Sequence, residues 1–151
     1  MRYIWLSGIK RLEILKPQVD DSGYDLVLEA KTIVRHIQLK GTSRMSKVNR
    51  FSVNTGLLAK PSGCVVVLLF DPSTLDLGPF LWMGGLPGQP LPNLGKYPIS
   101  KHTKANAQGV KLDRPGIRSV PRKAFDKVPT IIALAERLFG RLPVKQTDSN
   151  G

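Results

Sequence analysis

Residues 23–41, GYDLVLEAKTIVRHIQLKG, read as two strands joined by a tight connection at Ala30-Lys31-Thr32. Period-two alternation puts Ile33, Arg35, Ile37 and Leu39 on one face of the second strand and Val34, His36, Gln38 and Lys40 on the other. Folding the two strands into a hairpin brings Asp25 towards Gln38 and Lys40. Interior strand positions usually go to β-branched and aromatic residues. A lysine two residues after an amide, on one face, therefore either points to water or belongs to a site. Asp25 supplies a hard carboxylate oxygen, Gln38 a neutral amide oxygen, and Lys40 a positive charge. Together they suit a divalent cation held beside a phosphodiester, with the ammonium stabilising charge that develops on phosphorus.

The sequence GYD, a short turn and then IQLK resembles the core of the PD-(D/E)XK nuclease superfamily, which includes restriction endonucleases and Holliday junction resolvases. The family motif is an aspartate at the start of one strand and acid-x-lysine on the next, and it falls on Asp25, Gln38 and Lys40. Glutamine in the acid position resembles the variation found in type IV restriction enzymes. IQLKGTS, followed by VVVLLFD and FLWMGG, is also similar to bacterial members of the superfamily without an assigned activity.

The resemblance implies an α/β fold: a restriction-endonuclease-like mixed β-sheet flanked by helices. It implies a metal-dependent DNA endonuclease using Mg²⁺ or Mn²⁺. Asp25 and Gln38 would be the metal ligands, and Asp25, Gln38 and Lys40 the catalytic set. A homodimer is an arrangement by which relatives set two sites against two strands. The chain departs from the pattern twice. Relatives carry a further glutamate on the first helix, for which Glu13 falls late, and Gln38 removes one negative charge from the metal site. Glu29 shares parity with Asp25, but four strand residues set it about 13 Å away. Asp20 and Asp21 lie nearer in sequence.

Composition supports an anionic partner independently of the motif. Lys and Arg number 23 against 11 Asp and Glu, a formal net charge of +12 with a pI near 10.2. Such a balance favours nucleic acid. DNA is the expected partner and RNA the alternative. The cations Arg44 and Lys47 follow the motif, and Lys101, Lys104, Lys111, Arg114, Arg118, Arg122 and Lys123 crowd residues 101–123. These are the candidate phosphate contacts. Arg44, Lys47 and Arg50 recur at helical spacing. The single cysteine, Cys64, lies in the run CVVVLLF and reads as core, which excludes an internal disulfide framework. No apolar run reaches the roughly 20 residues of a membrane span, and MRYIWLSGIKRLE lacks the features of a signal peptide. The expectation is a cytoplasmic protein with no membrane partner.

Residues 3–15 suggest a short helix running into an extended piece before Pro17. CVVVLLFD has the unbroken apolarity of a central strand buried on both faces. FLWMGG is a short strand, LPGQPLPNLGKYP a loop, and 96–124 a basic loop segment. Val128-Pro129-Thr130 opens a final helix, with Pro near its first turn, striped by Ile131, Leu134, Ala135 and Leu138 and stopped by Gly140. One nuclease-like domain over 1–143 and a disordered tail over 144–151 are expected. Trp5 and Trp82 fit core positions, and His36 and His102 fit structural or surface roles. Two further readings keep the charge without the catalysis: an inactive nucleic-acid-binding member of the same fold, or a basic RNA- or ribosome-binding module.

Overall fold

Leu26–Ala30 (β2) and Ile33–Ser43 (β3) form the expected antiparallel hairpin, with Leu26 against Ile37 and Ala30 against Ile33. Lys31 takes a left-handed φ of 57° in the connecting turn. The structure, a computed structural model, describes residues 11–18 and 23–141. The expected first helix lies mainly outside these residues, as do Trp5, Asp20, Asp21 and the tail. Leu12–Leu15 (β1) is the extended piece and pairs with β2.

β3 continues past the hairpin and pairs in parallel with Gly63–Phe70 (β5), which pairs antiparallel with Leu77–Gly84 (β6). Asp126–Val128 (β9) closes the far edge. The result is a six-stranded mixed sheet, ordered β1-β2-β3-β5-β6-β9. β5 is central and largely buried, as its sequence required. At its start Gly63 lets the backbone pass close to Leu57, since a Cβ there would meet the Leu57 carbonyl at 2.5 Å.

The chain is mixed α/β but richer in strands than expected. Among the described residues there is one α-helix, Ile131–Phe139 (α1), capped by the Thr130 hydroxyl accepting from Ala133 N and ended at Gly140, φ 81°. It covers one sheet face, burying Leu134, Ala135 and Leu138 against Ile37, Val66, Phe80 and Trp82. The other face is covered by a second sheet, Arg50–Asn54 (β4), Ile99–Lys101 (β7) and Asp113–Pro121 (β8), in the order β4-β8-β7. Phe51, Val53, Leu57 and Val120 close this second core over Val65, Val67, Leu81 and Met83.

Two expectations are corrected here. Residues 44–50 form no helix: a turn at Arg44–Met45 leads into β4, where Phe51 and Val53 point inward and Arg50 and Ser52 outward. The segment 96–124 is not simply a loop, because it supplies β7 and β8. Pro115 and Gly116 disguise β8, and they fall where the β7–β8 register shifts between Ile99↔Arg118 and Ser100↔Arg114, the kind of place where a strand tolerates both. Among the described residues no helix is long and apolar enough to cross a membrane.

Candidate active site

The hairpin ladder breaks at Asp25. Leu26 pairs with Ile37, yet the Asp25 N–H also donates to the Ile37 carbonyl at 2.8 Å, so two residues of one strand stand against one of the other. This bulge-like break frees β3 from β2 and re-aims the aspartate side chain. The exposed carboxylate turns onto β3, where Oδ2 accepts from the Leu39 N–H at 2.6 Å. Among the described residues Oδ1 has no hydrogen-bond partner. Leu39 is the residue between Gln38 and Lys40, so the aspartate lies against the backbone of the expected partner motif.

Gln38 and Lys40 share a face, as alternation required. Their β5 neighbours Val65 and Val67 belong to the core beneath the second sheet, whereas Ile37 and Leu39 stand beside Cys64 and Val66 on the helix side. Gln38 is buried, and its Oε1 accepts from the Asn54 N–H at 3.2 Å. The amide therefore ties β3 to the end of β4, a partner sequence reasoning missed because it is 16 residues away on a strand that was not foreseen. Lys40 is half-buried and forms no ion pair or hydrogen bond among the described residues, with Asp25 or any other group.

His36 continues the face. Its ring meets Tyr24 edge-on, 4.9 Å between centroids, and Lys60 Nζ lies 5.2 Å from the Tyr24 ring. Nδ1 is buried without a partner among the described residues. Burial, and secondarily the Lys60 charge, lower the His36 pKa below its ordinary 6.5, which favours the neutral ring at neutral pH. Alternation located His36; the Tyr24 and Lys60 contacts carried no sequence signal.

Other acids stand apart. Glu29 pairs across the ladder with Glu13, away from the Asp25 break, and Glu13 binds Arg11. Neither joins the site. Among the described residues no three His, Cys, Asp or Glu side chains gather as a metal-binding group.

The candidate phosphate contacts divide. Lys47, Lys101, Lys104, Lys111, Arg114 and Lys123 are exposed. Arg44 is exposed too, and its guanidinium donates to the Gly78 and Asp76 carbonyls and pairs with Asp71 at 3.7 Å, holding the turn before β6. Arg118 is half-buried with a buried Nε that lacks a partner among the described residues, and Arg122 reaches the Val48 carbonyl at 3.5 Å. These three arginines are built into the frame of the second sheet and the 71–78 turn.

Three conspicuous residues belong to the core. Trp82 is buried, with Arg35 5.3 Å from its ring. Arg35 is fully buried and donates to the carbonyls of Leu138, Arg137 and Gly85. Cys64 is buried beside it, and burial pushes its thiol pKa up to about 12, which disqualifies it as a nucleophile.

No protein-family model, curated protein or solved structure matches this chain.

Proposed function

We propose that the chain is a PD-(D/E)XK-type nuclease domain that cleaves DNA phosphodiesters with Mg²⁺ or Mn²⁺, using Asp25, Gln38 and Lys40. The observation that carries this reading is the Asp25 carboxylate folded onto the N–H of Leu39, at a break in the sheet, with Gln38 and Lys40 on either side of that residue. The donor chemistry fits a small hard cation: one carboxylate oxygen that no described residue hydrogen-bonds, and an amide oxygen that keeps a second lone pair beyond Asn54. Mg²⁺ typically takes one or two carboxylates and completes its shell with water and substrate phosphate. Asp25 and Gln38 would hold it. When bound, such an ion lowers the pKa of water and polarises a phosphoryl oxygen.

The protein's own groups divide the remaining work. The Leu39 N–H fixes one Asp25 oxygen and thereby orients the other. Gln38, anchored through Asn54, holds that edge of the site at a constant distance from the second sheet. Lys40 carries a charge that no described acid neutralises, so it is available to a phosphate and to the negative charge growing on it.

The test is cleavage of supercoiled plasmid with Mg²⁺ or Mn²⁺ by wild type, Asp25→Ala and Lys40→Ala purified side by side. The proposal expects nicking by wild type and a loss of about 100-fold or more in each variant. Cleavage that survives both substitutions would sink it. Binding of DNA without any cleavage supports the inactive member of the same fold, which the substitution of Gln38 for an acid favours. A preference for structured RNA over DNA supports the RNA-binding module.

A further inference from the structure

β8 outruns its partner. Its last pair with β4 is Ile117 against Asn54; beyond it the Gly116 carbonyl accepts from the Thr55 hydroxyl at 3.1 Å, and only Arg114 and Asp113 pair with β7. The two chains stay together past the sheet: Lys101 pairs with Asp113, the His102 N–H donates to the Leu112 carbonyl at 2.8 Å, and the Asn106 N–H to the Val110 carbonyl at 2.8 Å. The tip is closed by Asn106, whose Oδ1 accepts from the N–H groups of Gln108 and Val110, and by Gly109 at φ 75°. Every residue from Lys101 to Gly116 is exposed. Past the Lys101–Asp113 pair the two arms are irregular, tied by those two backbone hydrogen bonds, and form an exposed hairpin ribbon reaching at most about 15 Å beyond that pair at 3.3 Å per residue. It carries Lys101, Lys104, Lys111 and Arg114 against the single acid Asp113.

The ribbon also starts at the candidate site. Asn54, whose N–H holds Gln38, is the residue facing Ile117, so the overhang departs about one strand spacing from the end of that hydrogen bond.

We propose that this ribbon enters the major groove of duplex DNA and holds the duplex against the Asp25–Lys40 edge. A major groove about 12 Å wide and 8.5 Å deep admits a two-stranded ribbon, whereas a minor groove about 6 Å wide does not. Lysines along both arms meet the phosphates lining the groove. Exposed Val110 and Leu112 lie between them, apolar side chains of the kind that contact thymine methyls. A-form RNA, whose major groove is deep and narrow, is excluded by the same geometry. The proposal rests on the nuclease reading for the purpose of the docking, but not for the docking itself.

Binding measured in EDTA separates the two. Fluorescence anisotropy compares a DNA duplex, the matching RNA duplex and the single DNA strand, for wild type, Lys104→Ala/Lys111→Ala and the charge-matched control Lys16→Ala/Lys127→Ala. Thermal melts establish that each is folded. Wild type should prefer the DNA duplex. The ribbon variant should lose about tenfold or more on it, and the slope of log affinity against log salt should fall by about 2, for two phosphate contacts removed. The control should lose much less. Charge reversal, Lys104→Glu/Lys111→Glu, should deepen the loss. Equal binding of duplex RNA, equal losses in the ribbon and control variants, or unchanged affinity overturns the proposal. If the ribbon results hold but wild type never cleaves, the nuclease reading fails and the docking stands. If wild type cleaves while ribbon variants bind normally, the reverse holds.

Discussion

Two cations five residues apart on β3 have opposite fates. Arg35, on the helix side, is fully buried and donates through Nε and Nη2 to three carbonyls, two of them at the C-terminal end of α1, where the helix dipole is negative, while its buried Nη1 has no partner among the described residues. Burial lowers its pKa, but an arginine keeps its charge, so those carbonyls and the Trp82 face must replace water. Lys40, on the other side, is half-buried and has no described partner. One face of the strand uses charge to fasten a helix to the sheet. The opposite face leaves the Lys40 charge without a described partner, two residues along the strand from Gln38, whose amide oxygen is held by the Asn54 N–H.

The largest effect that could break this comparison is on stability. Arg35→Ala should cost about 3–5 kcal/mol, since it removes buried volume and orphans helix-terminal carbonyls. Lys40→Ala should stay within about 0.5 kcal/mol. Urea denaturation followed by circular dichroism measures both, and similar losses would erase the distinction between the faces.

A smaller effect separates Gln38 as anchor from Gln38 as ligand. Gln38→Leu leaves the Asn54 N–H without its acceptor and should cost about 1–3 kcal/mol. Gln38→Glu keeps an acceptor and adds the charge that the superfamily motif carries there. It should destabilise less and shift cleavage to lower Mg²⁺ concentration. Denaturation and a metal titration read the two consequences separately.

The pH dependence sharpens the comparison further. The folded-state pKa of His36 is lowered, so below about pH 6.5 the unfolded chain takes up a proton that the folded chain resists. Stability contributed by the neutral ring is present above that pH and is lost as pH falls towards the folded-state value. His36→Gln should flatten the fall in melting temperature between pH 7 and 5; an unchanged slope would remove His36 from the account. The smallest expected effect lies on the helix side: with its thiol pKa pushed up to about 12, Cys64 should resist a thiol reagent at pH 8 until the protein unfolds.

Sequence patterns made half of this architecture readable. β2, β3, β5, β6 and α1 have strong alternation, unbroken apolarity or helical caps. β4 has alternation too, Phe51 and Val53 against Arg50 and Ser52, but it is short and embedded in a basic run that drew attention to charge. β8 carries Pro115, Gly116 and Pro121, residues that signal a loop unless a register shift absorbs the first two. At the site, parity placed Gln38 and Lys40 on one face. The break at Asp25 was not legible, because it depends on how two strands part rather than on either alone. Nor was the Gln38–Asn54 bond, which requires the second sheet to lie over the first. Nor were the bonds of Arg44 to the carbonyls of the 76–78 turn, which join residues separated by 34 and 32 positions.

The most direct test of the central claim is a Mg²⁺ titration of single-turnover cleavage by wild type and Asp25→Asn. Asparagine can still accept from the Leu39 N–H, so the substitution removes charge while keeping the local fold, and matched melting temperatures establish this. The account predicts a rate that rises with Mg²⁺ in wild type and is at least about 100-fold lower in Asp25→Asn at every concentration. Equal rates in two equally folded proteins, or no cleavage by wild type at any concentration, would contradict it.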